Sequence, residues 1–164
     1  MELINTIGVW LFQDHIEWYL RIIISAGLGF LIGWDRSSKS KPAGIKTYTY
    51  VSVACTLITL VSIYSVDKYS IPGGGTMMDP MRLAAQIVTG LGFLGAGVIL
   101  KNGLQVKGLT SAAMILFSGG VGIGIGAGFY SIVIFSVIVT FILAKLGNIL
   151  EKSNFIPDRD VDAD

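Results

Sequence analysis

Long uncharged stretches alternate with short polar segments along most of the chain. Residues 47–66 and 83–100 carry no charge, and no charged residue occurs between positions 108 and 144. Because a membrane-spanning helix needs about 20 predominantly apolar residues, the first two stretches predict one helix each and the third predicts two. The third stretch has a natural break at residues 126–131, "GAGFYS", where glycine, tyrosine and serine favour a turn.

A fifth span is predicted at residues 16–34, although it carries two charges near one end. Glu17 and Arg21 lie four residues apart with the acidic residue first, which is the favourable order on a helix. We expect them to pair near the membrane interface. The chain is therefore predicted to be an all-α membrane protein, a bundle of about five transmembrane helices.

These spans divide the chain into three parts. Residues 1–15 are too short to cross a bilayer and are predicted to lie at its interface. Residues 16–150 form the transmembrane helical domain. Residues 151–164 form an acidic tail, which the positive-inside rule places in the cytoplasm.

Basic residues concentrate on one side of the predicted bundle. With five spans, the loop 35–46, the loop 101–107 and the C-terminal tail share a side, which carries nine of the 12 lysines and arginines. Cytoplasmic loops are rich in lysine and arginine, so we expect the N-terminus outside and the C-terminus in the cytoplasm.

Two segments recur about 63 residues apart. "GLGFLIG" at 27–33 returns as "GLGFLGAG" at 90–97, and "KPAGIKT" at 41–47 is echoed by "QVKGLTS" at 105–111. Two spans separate the copies, which predicts a parallel internal repeat of helices 1–2 and helices 3–4. The alternative is coincidence within glycine-rich membrane sequence.

Glycines in the second copy also match a nucleotide-binding fingerprint, G-x-G-x-x-G. That motif binds phosphates only between a strand and a helix, with an acidic residue about 20 positions further on. Here it lies inside an apolar span, so we interpret the glycines as sites where helix backbones approach closely. The helix-packing glycines predicted in this way are Gly29, Gly33, Gly90, Gly92, Gly95, Gly97, Gly120, Gly124 and Gly128, and Gly122 and Gly126 have the same spacing of four.

A polar stripe begins the third predicted helix. Asp79 and Pro80 are ordinary helix-start residues. Arg82, Gln86 and Thr89 then follow at spacings of four and three, which places them on one face. We expect this face to meet the bundle interior or a partner; the alternative is that the two charges only anchor the helix at the interface.

A second polar position lies at the end of the first predicted helix. Asp35 falls where the helix macrodipole disfavours a carboxylate, so it needs a positive partner from Arg36, Lys41 or Lys46. A solvated basic loop would explain the lysines but not Asp35.

Composition narrows the chemistry further. Charged residues make up only 14% of the chain and the net charge is +1, which gives no basis for binding nucleic acid. With one cysteine and one histidine, neither a disulfide nor a metal cluster built on these residues can form within one chain. No nucleophile–base pairing is visible, so we do not expect an enzyme.

Three blocks of the sequence, in this order, resemble the MgtC/SapB family of bacterial membrane proteins. They read "GFLIGWDR…KPAGIKTYTYVSVA", "DPMRLAAQIVTGLGFLGAGVIL" and "VKGLTSAAMILFSGGVGIGIGAGFY" and cover roughly residues 20–145. The resemblance implies an inner-membrane protein linked to survival in low magnesium and, in pathogens, within host cells. It also implies two competing activities, transport of Mg²⁺ and regulation of other membrane proteins, including ATP synthase.

The resemblance carries a set of polar signature positions onto this chain. Three departures occur: Trp34–Asp35 stands where Leu–Glu is usual, Lys46 replaces an arginine and Tyr48 a histidine. Many relatives also have a soluble C-terminal domain, and we expect the function of that domain to be absent or supplied elsewhere. The predicted polar site comprises Asp35, Arg36, Lys41, Lys46, Thr47, Asp79, Arg82, Gln86, Thr89, Thr110 and Ser111, with Gly108 beside the last two.

Two functions remain open from the sequence. Asp35 and Asp79 are weak Mg²⁺ candidates on opposite membrane faces, and no carboxylate lies in the middle of a span. A transporter would therefore need an oligomer. The glycine faces favour instead a regulator that binds itself or other membrane proteins in the bilayer, with no resident cofactor except, in the transport alternative, Mg²⁺.

The predicted topology can be tested with a single introduced cysteine. In intact cells, Ser40→Cys should resist a membrane-impermeant maleimide and react after the membrane is opened, because the loop 35–46 is predicted to be cytoplasmic. The unmodified chain, whose native cysteine lies within a span, supplies the background. Labelling from outside in intact cells would reverse the topology.

Overall fold

The computed structural model describes residues 16–38, 43–69 and 79–152. The predicted interfacial segment 1–15, Lys41 and most of the acidic tail lie outside these ranges. The helices are α1 (Ile16–Ser37), α2 (Ile45–Tyr69), α3 (Arg82–Gly97), α4 (Leu109–Gly126) and α5 (Tyr130–Lys152), and two short strands, β1 (Leu100–Asn102) and β2 (Gln105–Lys107), join α3 to α4.

The predicted all-α membrane architecture is confirmed. Four helices are long and apolar enough to span a membrane, namely Ile16–Ser37, Ile45–Val66, Leu109–Gly126 and Tyr130–Leu150. The fifth, α3, has 16 residues. Helix α4 ends at Gly126 and α5 begins at Tyr130, so the uncharged stretch breaks within the predicted segment.

The chain separates into two compact units, Met1–Phe129 and Tyr130–Asp164. In the second unit α5 is a single apolar helix of 23 residues. In the first unit α2 and α4 each contact the other three helices. All further contacts described here belong to the first unit.

Helix α1 meets α2 through glycines that leave no room for a side chain. A Cβ on Gly33 would lie 2.5 Å from the Ile45 Cα, and one on Gly29 would lie 2.8 Å from the Tyr48 carbonyl oxygen. These glycines share one buried face of α1 with Ser25, Ile32 and Arg36. Such backbone contact is how helices associate in lipid, where hydrophobic burial supplies little driving force.

Helix α4 approaches the other side of α2 in the same way. A Cβ on Gly122 would lie 2.3 Å from the Ser52 carbonyl oxygen and 2.8 Å from the Cys55 Cβ, and one on Gly126 would lie 2.8 Å from the Thr59 Cβ. The α4 glycines with these close contacts are therefore at 122 and 126, whereas a Cβ on Gly120 would meet nothing within 4 Å.

Helix α3 packs against α4 through side chains rather than backbone. A Cβ on Gly119 would lie 2.2 Å from the Leu91 Cδ1, so the leucine occupies the place that the glycine leaves open. Gly95 faces Ala112 at an ordinary distance of 3.6 Å between Cβ positions. Gly90, Gly92 and Gly97 have no described atom within 4 Å of such a Cβ.

The two predicted repeat copies share their order of elements but not their packing. Gly44 and Gly108 each directly precede a helix, as the alignment of the segments predicts. Gly29 and Gly33 of the first copy lie against α2, whereas Gly27, like Gly90, Gly92 and Gly97 of the second copy, faces open space. Gly90, Gly92, Gly95 and Gly97 all lie within α3, so the G-x-G-x-x-G pattern forms no loop.

The hairpin between α3 and α4 was not predicted from the sequence. Leu100 pairs with Lys107 and Asn102 with Gln105 in an antiparallel ladder. The two turn residues are Gly103 and Leu104, and glycine suits the first turn position, where Gly103 has a φ of 61°. The hairpin is followed by Gly108, which has a φ of 94°. A Cβ added there would lie 2.0 Å from the Val98 carbonyl oxygen, so only glycine fits.

Two glycines of α4 provide a matched test of this packing. Gly122→Ala should lower the free energy of unfolding by about 1–3 kcal/mol, because its methyl group meets the backbone of α2. Gly120→Ala should leave stability unchanged or raise it by up to about 1 kcal/mol through helix propensity. Denaturant or thermal unfolding of the purified protein in detergent measures both. Equal stability of the two variants would contradict the packing.

Candidate functional site

Arg36 is a charged side chain buried among three helices. It lies in the last turn of α1 and is 7% exposed. Its Nη2 donates a long hydrogen bond of 3.4 Å to the Ser111 Oγ in the first turn of α4. The Arg36 Nε is buried and has no hydrogen-bond partner among the described residues.

Tyr48 and Ser118 complete the contact between these helices. The fully buried Tyr48 extends from the first turn of α2, where its hydroxyl donates a long bond of 3.5 Å to the Ser111 carbonyl oxygen and interacts with Arg36. The Ser118 hydroxyl donates to the Tyr48 carbonyl oxygen at 3.0 Å. We call Arg36, Tyr48, Ser111 and Ser118 the Arg36 cluster.

The cluster unites only some of the predicted polar positions. Arg36 and Ser111, 75 residues apart in sequence, come together. Asp35 is half-buried, and its carbonyl oxygen accepts a bond from the Ser38 hydroxyl at 2.8 Å. Lys46, Thr47 and Thr110 are exposed.

The second predicted block lies on the outer surface of the first unit. Arg82, Gln86 and Thr89 are all exposed along α3, so the polar stripe does not face the interior of this chain. The Asp79 carboxylate accepts a bond of 2.8 Å from the Met81 N–H, and the helix begins one residue later. Asp79 therefore shapes the turn before α3, slightly earlier than a helix cap.

An open apolar groove runs beside this stripe between α2 and α3. It has a volume of about 500 Å³, and the side-chain amide of Gln86 is one of the groups that line it. The other residues along it include Tyr50, Cys55, Leu83 and Leu94. A groove of this composition accepts an apolar chain or helix rather than an ion.

Hydroxyl groups between α1, α2 and α4 form a second polar network, which sequence reasoning missed. The Ser25 and Ser52 hydroxyls lie 2.8 Å apart, and the Thr56 hydroxyl contacts the Ser25 Oγ at 2.7 Å and the Gly122 carbonyl oxygen at 2.9 Å. All three side chains are fully buried. Each is hydrogen-bonded, so the network stabilises the helix contacts and offers no vacant ligand.

The predicted pairing of Glu17 with Arg21 is confirmed. Arg21 Nη2 donates to the Glu17 carboxylate, and Nη1 donates to the carbonyl oxygen of Gly126 at the end of α4. A cation at a helix C-terminus is favoured by the macrodipole. Arg21 thus joins the beginning of α1 to the end of α4.

The described residues contain no group of three or more histidine, cysteine, aspartate or glutamate side chains that could hold a metal ion. The Mg²⁺ candidates Asp35 and Asp79 accordingly belong to no such group. Magnesium bound through one or two carboxylates keeps most of its water shell.

The sequence matches the model of the MgtC family over residues 22–153. The chain is 43% identical over 125 residues to Protein SapB of Bacillus subtilis, covering 70% of this chain and 52% of that protein. It is 40% identical over 129 residues to Protein MgtC of Brucella abortus, covering 76% of this chain and 50% of that one. A protein of Escherichia coli named "Putative magnesium transporter YhiD" is 36% identical over 131 residues, covering 79% and 60%.

The chain thus spans about half to three fifths of the length of these relatives. No solved structure matches it. The family match covers most of the chain and includes all the helices of the first unit except the beginning of α1. Together with the four apolar helices, this shows that the chain is a multi-pass membrane protein and belongs to the MgtC family.

Proposed function

We propose that the chain acts in magnesium homeostasis in the bacterial inner membrane by binding and regulating other membrane proteins, without catalysing a reaction. The observation that carries this proposal is the exposed face of α3. Arg82, Gln86 and Thr89 are exposed there although the sequence predicts that this helix spans the membrane. Polar groups facing lipid are costly and usually meet protein, so this face is suited to a partner.

The same helix has the steric features of an association surface. A side chain placed at Gly90, Gly92 or Gly97 would meet no described atom within 4 Å. Phe93 between them is 81% exposed. Small residues flanking an exposed aromatic ring allow another helix to approach the backbone of α3 closely, and Gln86 can form a hydrogen bond across such an interface.

The magnesium setting is supported by relatives rather than by a metal site. The name of the Escherichia coli relative refers to magnesium transport, and we extend the physiological setting to this chain. Partners include a second copy of the chain and other membrane proteins such as ATP synthase, which the family resemblance implies. The exposed Lys101 and Lys107 of the hairpin support the proposal that this loop lies in the cytoplasm.

A second candidate function is transport of Mg²⁺ by an oligomer. The polar stripe on α3 favours it, because several copies could turn Gln86 and Thr89 toward a shared pore. Each copy would supply amide and hydroxyl oxygens, which suit a hard cation. This arrangement uses the same face as the regulatory function, so the two functions differ in what binds there.

The association surface can be tested with two glycines at which a Cβ would meet no described atom within 4 Å. Gly92→Leu should reduce recovery of co-purifying membrane proteins about tenfold, because it fills the surface that another helix would contact. Gly147→Leu on α5 is the matched control, since a Cβ at that glycine also meets nothing within 4 Å. Equal recovery with both variants, at matched thermal stability, would show that α3 is not the surface.

Ion flux separates the two candidate functions. Purified protein in liposomes containing a Mg²⁺-sensitive dye, under a membrane potential, should give no flux above empty liposomes if the protein is a regulator. Arg82→Ala should insert normally, because Arg82 is exposed at the start of α3. Flux in the unmodified protein that is lost in Arg82→Ala would establish the transporter.

A further inference from the structure

Helix α4 has a buried or nearly buried arginine at each end, and the two ends differ in electrostatics. At the C-terminus, Arg21 donates to one negative group, the Glu17 carboxylate, and to the Gly126 carbonyl oxygen. At the N-terminus, Arg36 contacts Ser111. The helix macrodipole is positive there and repels a cation.

No described negative group compensates Arg36. The structure places no described carboxylate within 4 Å of its guanidinium; the ion pair it shows is that of Glu17 with Arg21. The polar neighbours of Arg36 are the neutral hydroxyls of Ser111 and Tyr48. The C-terminus of α1 offsets part of the charge, but a buried ion needs a full counter-charge or several hydrogen bonds.

The start of α4 adds donors that lack a side-chain acceptor. Its N-cap is Gly108, which forms no side-chain capping hydrogen bond. The first turn of a helix has backbone N–H groups that no intrahelical carbonyl satisfies. At α2, by contrast, the Ile45 N–H donates to the Ser37 hydroxyl at 3.0 Å. The uncapped terminus and the unpartnered Arg36 Nε therefore belong to the same corner of the molecule.

We propose that this corner binds a phosphate-type oxyanion through Arg36, the Ser111 hydroxyl and the first turn of α4. The guanidinium edge can bind two oxygens of one anion, and the hydroxyl and backbone N–H groups offer further donors. More than two convergent donors suit a tetrahedral oxyanion better than a carboxylate. Free phosphate and the phosphate of a lipid headgroup share this chemistry.

Nearby charges favour the arrival of such an anion. Lys46 on α2 and Lys101 and Lys107 in the hairpin are exposed at the same end of the first unit. Exposed lysines raise the local concentration of anions, whereas the buried Arg36 would hold one in a fixed orientation. The site is separate from the exposed face of α3, so this inference does not depend on the proposed function.

The experiment uses the full chain, purified in a neutral detergent without phosphate. Inorganic phosphate, exchanged for chloride at constant ionic strength, should raise the melting temperature. Arg36→Lys keeps the charge but loses the bidentate edge and should bind about tenfold or more weakly. Arg21→Lys, at the opposite end of α4, is the matched control and should respond as the unmodified chain does.

A second variant and a second readout distinguish the source of the phosphate. Ser111→Ala retains Arg36 and should also weaken the response. If free phosphate has no effect, native mass spectrometry should find a phospholipid retained by the unmodified chain and by Arg21→Lys but lost from Arg36→Lys.

Two outcomes would overturn the proposal. One is an equal phosphate response and equal lipid retention in Arg36→Lys and Arg21→Lys. Another is an unmodified chain that neither gains stability with phosphate nor retains a phospholipid. If Arg36→Lys and Ser111→Ala both fail to fold, the proposal is tested on the unmodified chain by its phosphate-dependent melting temperature and its retention of a phospholipid.

Discussion

The structure depends on the contact of α2 with α1 and α4 at backbone distance. Gly29 and Gly33 admit α2 on one side, and Gly122 and Gly126 admit it on the other. In a bilayer this closeness supplies most of the attraction, because dispersion and hydrogen bonds must replace hydrophobic burial. The buried hydroxyls of Ser25, Ser52 and Thr56 can reach one another only at this separation.

The same contact produces the contrast between the two ends of α4. Because α1 and α4 are held against a common neighbour, the two arginines of α1 are brought to opposite ends of α4. At the C-terminal end of α4, Arg21 donates to the Glu17 carboxylate of α1 and to the Gly126 carbonyl oxygen. The other presents neutral hydroxyls and a helix N-terminus to Arg36. The same helix packing therefore places Arg21 beside a carboxylate and Arg36 beside neutral hydroxyls.

Helix α3 is held differently, and this difference separates the structural part of the molecule from the part suited to binding. Its contact with α4 is made by the Leu91 side chain over Gly119 and by Gly95 at an ordinary distance. Its remaining glycines and its polar stripe are exposed. The residues that fix the fold and those proposed to meet partners consequently lie on different helices.

Features governed by neighbouring residues could be predicted from the sequence. The spans follow from the absence of charge, and the Glu17–Arg21 pair follows from a spacing of four. The sequence could not tell which glycines pack, because residues 119–128 offer several faces with small residues. The choice of Gly122 and Gly126 depends on where α2 lies, which is a tertiary property.

Contacts between distant residues were harder to foresee. The family resemblance named both Arg36 and Ser111, yet nothing in the sequence joins positions 75 residues apart. Tyr48 was noted only as a departure from the family pattern, although its burial places it at the centre of the cluster. The hairpin was missed for a different reason: Gly103, the glycine at its turn, lay in a segment interpreted as a simple loop.

The length of α3 has a consequence for the surrounding lipid. Sixteen residues extend for about 24 Å, whereas the hydrocarbon layer is about 30 Å thick. A bilayer meets a short hydrophobic segment by thinning around it, at an elastic cost that falls when short segments share the deformed region. The association of α3 with another short segment should therefore depend on membrane thickness, and a thicker bilayer would favour it more strongly.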